Sequence, residues 1–130
     1  DDFVNCNFLS ILHYYMVTNE GVQAVSCDYY LVDDRENIIR RVSANKEPIA
    51  CGIMFRKKSL LEVGLYDESF KTHEDRDLRI RFLRKYDINY LPLPMYRYRR
   101  HSANITDNAL LMQAHLELLI DKHGLDASQS

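Results

Sequence analysis

The densest chemistry in this chain lies at His73-Glu74-Asp75-Arg76-Asp77, just ahead of Leu78, Phe82, Leu83 and Tyr86 at helical spacing. The spacing predicts a helix from about Glu74 to Tyr86, with Thr72 and Asp75 forming a variant capping box in which Asp replaces the usual Glu or Gln. Three carboxylates in a first turn are kept ionised by the positive end of the helix dipole. An ionised carboxylate at a helix mouth can take a proton from an incoming hydroxyl, and Asp75 and Glu74 are the candidates for that base. The plainer alternative is that these acids only cap the helix.

Two other polar sets accompany this turn. Asp1 and Asp2 open the chain, and Arg97, Arg99, Arg100 and His101, with Asn104 and Thr106, close its middle section. Carboxylates with an imidazole suit a hard cation of the magnesium or manganese kind, and arginines suit a pyrophosphate, so the combination reads as phosphate-ester or nucleotide-sugar chemistry. The alternatives are a solvated arginine face and a lone histidine.

The elements that must position these residues can be read from pattern. Phe3, Val4, Phe8, Ile11, Leu12, Tyr15 and Met16 predict an amphipathic helix ending near Gly21. Val22 to Asp34 reads as a strand rich in β-branched and aromatic residues, and Ile38 to Val42 as the return arm of a hairpin. The polar stretch 43–47 is a loop closed by Pro48, and Ile49 to Arg56 a short buried strand in which Gly52 admits another backbone or a ligand. Ser59 to Val63 forms a short helix stopped by Gly64, and Leu65 to Lys71 connects to the acidic helix. Ile88 to Leu91 is a strand, and Pro92 and Pro94 confine the next residues to an edge or an extended segment. Beyond it, Tyr96 and Tyr98 alternate with Arg97 and Arg99, giving one aromatic and one cationic face. Leu110, Leu111, Ala114 and Leu118 mark a last helix capped at Thr106 or Asp107 and ended by Gly124. Residues 1–125 form one α/β or α+β domain, and 126–130 a frayed tail.

Composition narrows the classes. The chain has 130 residues, 46% of them hydrophobic and 28% charged, enough for one globular core without staples. A net charge of -2 argues against bulk nucleic-acid binding. Cys6, Cys27 and Cys51 are odd in number, widely spaced and set among apolar residues, which predicts buried thiols in a reducing compartment. No apolar run approaches the ~20 residues of a membrane span, and the expectation is a cytoplasmic protein.

In order along the chain, Asp1-Asp2-Phe3-Val4, Ala50 to Arg56, Gly64-Leu65-Tyr66-Asp67-Glu68-Ser69-Phe70, His73 to Leu78 and Tyr96 to His101 resemble the C-terminal half of a glycosyltransferase of family 2. The resemblance implies an inverting transferase of the GT-A fold, a mixed sheet with flanking helices, using a nucleotide-diphospho-sugar donor and usually Mn2+ or Mg2+. Asp1 then resembles the metal-binding second Asp of the family's Asp-x-Asp motif, and Asp75, with Glu74 beside it, the base of its Glu-Asp pair. His101 resembles a histidine that approaches the metal or diphosphate in some relatives, and Arg97, Arg99 and Arg100 the phosphate contacts. The acceptor would be a hydroxyl of a glycan or lipid-linked molecule, in a setting such as polysaccharide biosynthesis, at the inner face of the membrane for a longer parent.

The Rossmann-like half expected to hold the nucleotide is absent before Asp1, so the chain is expected to be inactive alone and to self-associate through an exposed sheet edge or face. The alternative is a non-catalytic module whose basic aromatic segment 95–101 clamps nucleic acid or phospholipid.

Overall fold

A computed structural model describes residues 2–100 and 109–125. Its centre is a mixed five-stranded sheet with helices against it: β1 (Phe3–Val4), β2 (Ala24–Val32), β3 (Ile38–Val42), β4 (Ile53–Phe55) and β5 (Asn89–Arg99). The helices are α1 (Phe8–Thr18), α2 (Lys57–Glu62), α3 (Glu74–Leu83) and α4 (Ala109–His123). The strand order is β1-β5-β2-β3, with β4 pairing the start of β2 on the edge whose far end carries β3.

β2 is the spine. It runs parallel to β5 and antiparallel to β3 and β4, so its backbone is bonded on both sides and most of its residues are buried. The β2–β3 hairpin turns at Asp33, whose carboxylate accepts the backbone N–H groups of Arg35 and Asn37 at 2.9 Å, holding Glu36 at φ 67°. Phe8, Leu12 and Met16 of α1 pack with Val25, Cys27, Tyr29, Met95 and Tyr96 to make the core. Each such large side chain contributes roughly 2 kcal/mol by leaving water.

Several elements differ from the sequence pattern. Phe3 and Val4 do not begin the first helix. They pair with Arg97 and Tyr96, and the helix starts only at Phe8 after a turn in which Asn5 accepts the N–H of Asn7 through its side chain. The run from Ile49 to Arg56 is a one-turn 3-10 helix at Ala50–Gly52 followed by the short β4. β5 is one continuous strand between β1 and β2, but among the described residues β1 pairs it only at Tyr96 and Arg97, so Pro92 and Pro94 stand at an edge as expected. Pro92 and Pro94 are accommodated because the ladder slips there, Cys27 facing Leu91, Asp28 facing Pro94 and Tyr29 facing Tyr96, while β1 reaches only Tyr96 and Arg97. Of the three thiols only Cys27 is buried; Cys6 and Cys51 are exposed. In α4 the residues turned inward are His115 and Leu119, and Leu110, Ala114 and Leu118 are exposed, because polar partners at Lys71 and Asp77 select the histidine face. The expected tail at 126–130, and the caps at Thr106 and Asp107, lie outside the described residues.

Candidate functional site

A cleft of about 410 Å³ opens at the start of α3. Its walls come from the 3-10 turn (Ala50, Cys51), the Lys71–His73 approach, Glu74 and Asp75, with Tyr98 from β5 and Met112 from α4. The expected capping box does not form. His73 occupies the cap position in the left-handed region, φ 61° and ψ 11°, and no side chain caps the helix. A non-glycine residue held there costs on the order of 1 kcal/mol, and such strain collects at functional sites. Thr72 is buried in the cleft wall, and its Oγ1 has no hydrogen-bond partner among the described residues.

The three acids of the first turn separate into two kinds. Asp77 is fully buried and accepts Arg81 at 2.7 Å, Lys122 at 2.8 Å and His123 at 2.7 Å. Desolvation pushes its proton affinity up, but the hydrogen bonds from Arg81, Lys122 and His123 outweigh it and hold the carboxyl below its ordinary range. Asp77 is therefore structural, tying α3 to α4. Glu74 and Asp75 are half-buried at the cleft, and no hydrogen bond or ion pair from a described residue engages either carboxylate. Those two are the acids left available for proton transfer.

The front of the chain reaches the same place. Asp2 Oδ2 accepts the phenol O–H of Tyr96 at 2.9 Å, and Asp2 Oδ1 accepts the backbone N–H of Arg99 at 2.8 Å. The Tyr96 phenol lies beside Cys51, and burial first, then Cys51 and Asp2, hold its proton on well above the ordinary phenol range. The Cys51 thiol and the Tyr66 and Tyr98 phenols are each pushed up by local desolvation, although Cys51 and Tyr66 are exposed as whole residues, with the negative charge of Asp75 adding to all three and that of Asp2 to Cys51 and Tyr98. Asp2 thus braces the strand that carries Tyr98, and Asp75 lines the cleft that Tyr98 faces.

The other expected site residues are placed differently. Asp1 and His101, expected to hold a divalent metal, lie outside the described residues, and among the described residues no group of three or more His, Cys, Asp or Glu is arranged to bind an ion. Asp2 uses one lone pair of each oxygen to brace β5. Arg97 and Arg99 extend from the face of β5 opposite Tyr98, away from the cleft. Both stack near Phe3, with the guanidinium carbons 5.0 and 5.9 Å from the ring centre, and Arg99 pairs with Glu36 at 2.9 Å. Arg100 is exposed, its N–H bonded to Val32 O. Gly52 is buried beneath the cleft floor, where a Cβ would meet Ile49 at 3.3 Å and the carbonyl of Cys27 at 3.6 Å. The close neighbour that the glycine admits is the chain itself.

Two clusters escaped sequence reasoning. Asp28 is buried and accepts Arg41, Tyr90 and the N–H of Ala44, an anchor between β2, β3 and β5 that no local motif announces. For Asp77, its i, i+4 relation to Arg81 was the one readable signal; Lys122 and His123 come from the far end of the chain.

No family model matches this sequence, and no curated protein matches it.

Proposed function

We propose that this chain is the acceptor-side part of an inverting glycosyltransferase of the family 2, GT-A type, with Asp75 as the base that deprotonates an acceptor hydroxyl. The observation that supports the reading is that Glu74 and Asp75 line one cleft with Cys51 and Tyr98 while no described residue engages either carboxylate. A transferase of this kind needs a carboxylate beside the acceptor hydroxyl, and Asp75 at the cleft is available for that role. Glu74 stands next to Asp75 as its alternate.

A divalent cation, Mn2+ or Mg2+, would neutralise the leaving diphosphate of the nucleotide sugar, and Asp1 with His101 are the residues assigned to it. The chain's own groups do the rest. Tyr98, Cys51 and the half-buried His73 line the cleft beside Asp75 and would set the space open to an acceptor.

The test is a donor-hydrolysis and transfer assay across common nucleotide sugars with Mn2+, using a form extended upstream of Asp1 beside its Asp75→Asn variant. The reading requires transfer by the extended form and a loss of ~100-fold or more on substitution. Failure of the extended form to bind any nucleotide sugar overturns it.

A further inference from the structure

A second cavity, about 170 Å³, lies on the other side of Pro48 from the cleft and is lined by Ser26, Asn45, Arg79 and Tyr90, with apolar Ile53, Leu83 and Ile88 around them. Pro48 lines both spaces. Arg79 comes four residues after Asp75 on α3, which places it one turn away, about 6 Å along the helix axis. At that spacing an Asp and an Arg commonly pair, yet these two make no ion pair, and no described residue gives the Arg79 guanidinium a carboxylate or carbonyl partner. The other arginine on the inward side of this helix, Arg81, is fully occupied by Asp77, Val63 and Leu65. Arg79 is half-buried, and burial in this apolar surround disfavours its charge, with Asp75 offsetting only part of that cost.

We propose that the Arg79 cavity is an oxyanion subsite that holds a carboxylate or phosphate group of the acceptor while its hydroxyl faces Asp75. Identifying that anion as part of an acceptor rests on the transferase reading above; the binding itself does not. Chemistry favours an oxyanion because a planar, permanently charged guanidinium with unfilled donors pairs with two oxygens at once, and the low-dielectric walls strengthen the attraction. The side-chain amide of Asn45 adds a neutral donor from the exposed rim. An acceptor anchored one helical turn from the base would present only the hydroxyl that lies within that span.

The experiment is a heteronuclear NMR titration of this 130-residue chain with inorganic phosphate and, separately, with glucuronate, using glucose and sodium chloride of matched ionic strength as controls. The proposal expects saturable shifts at the amides of Ser26, Asn45 and Tyr90 with phosphate, glucuronate or both, which also tells a phosphorylated acceptor from a uronic acid. Arg79→Gln is expected to weaken that binding by about 10-fold or more, the scale of one charge-assisted pair. Should that variant lose its dispersed spectrum, Asn45→Asp, at an exposed position, brings a repelling charge to the rim and is expected to weaken binding similarly. Shifts no larger than those with chloride, or shifts that survive a folded variant, overturn the proposal. Oxyanion binding in a protein whose extended form transfers no sugar would remove the transferase reading and leave this site standing.

Discussion

His123 Nε2 lies 2.7 Å from Asp77 Oδ1, joining the last turn of α4 to the first turn of α3 across 46 residues of sequence. The same carboxylate takes Lys122, which also reaches Asp67 at 2.6 Å, and Arg81, which in turn caps the carbonyls of Val63 and Leu65. One buried acid therefore fixes α3, α4 and the connector before α3 together.

Removing one member of a buried ionic cluster leaves its partners desolvated and unpaired, at roughly 3–5 kcal/mol. Asp77→Ala is expected to lower stability by about that amount in chemical denaturation. The pH dependence has its origin in the depressed folded pKa. Above the ordinary carboxyl value of 3.8 the contribution is fully present, and it is lost as pH falls through and below that value. Acid titration of unfolding should therefore show a loss of stability below about pH 4 that is smaller in Asp77→Ala, where Asp28 and the other paired carboxylates still contribute.

Asp75 makes the opposite prediction. Its carboxylate has no hydrogen bond or ion pair to lose among the described residues, so Asp75→Asn is expected to change unfolding free energy by less than about 0.5 kcal/mol. A thermal or urea melt beside the transfer assay separates the two acids, since a destabilised Asp75→Asn would make it another strut of the fold.

Thr72→Val tests the unpartnered hydroxyl. The replacement has nearly the same shape and discards a buried polar group with no bond to offset its desolvation, so stability is expected to rise by about 1 kcal/mol. A loss of stability on urea denaturation would show that Thr72 Oγ1 is satisfied in solution.

The exposed apolar side chains Leu9, Tyr14 and Val17 on α1, and Ile38 and Ile39 on β3, lie outside the core. Sedimentation of the isolated chain is expected to show concentration-dependent association, and Ile38→Lys with Ile39→Glu to reduce it if the β3 edge pairs. A sharp monomer at all concentrations would exclude self-association.

Much of the fold was legible because it rests on local pattern. The unbroken apolar run of β2, the Asp33 to Asn37 turn, and Gly64 and Gly124 at positive φ after their helices all announce themselves within a few residues. What failed was long-range. Phe3 and Val4 fit a helical stripe by spacing, and only their pairing with Arg97 and Tyr96 makes them a strand. Leu110 and Leu118 looked like the inward stripe of α4, but Asp77 and Lys71 bind histidines on another face. The acids at Glu74 and Asp75 were readable as a site, whereas the distinction between them and Asp77 depends on residues at the far end of the chain.

The pairing of β1 with β5 also has a kinetic meaning. Asp2 and Tyr96 are 94 residues apart, so their contact closes a long loop, and only two residue pairs of β1 reward that closure. Docking of the N-terminal strand is then a late event, after β2 and β5 have formed a template for it. A nascent or truncated product lacking β5 would carry both acidic segments and assemble neither into a site.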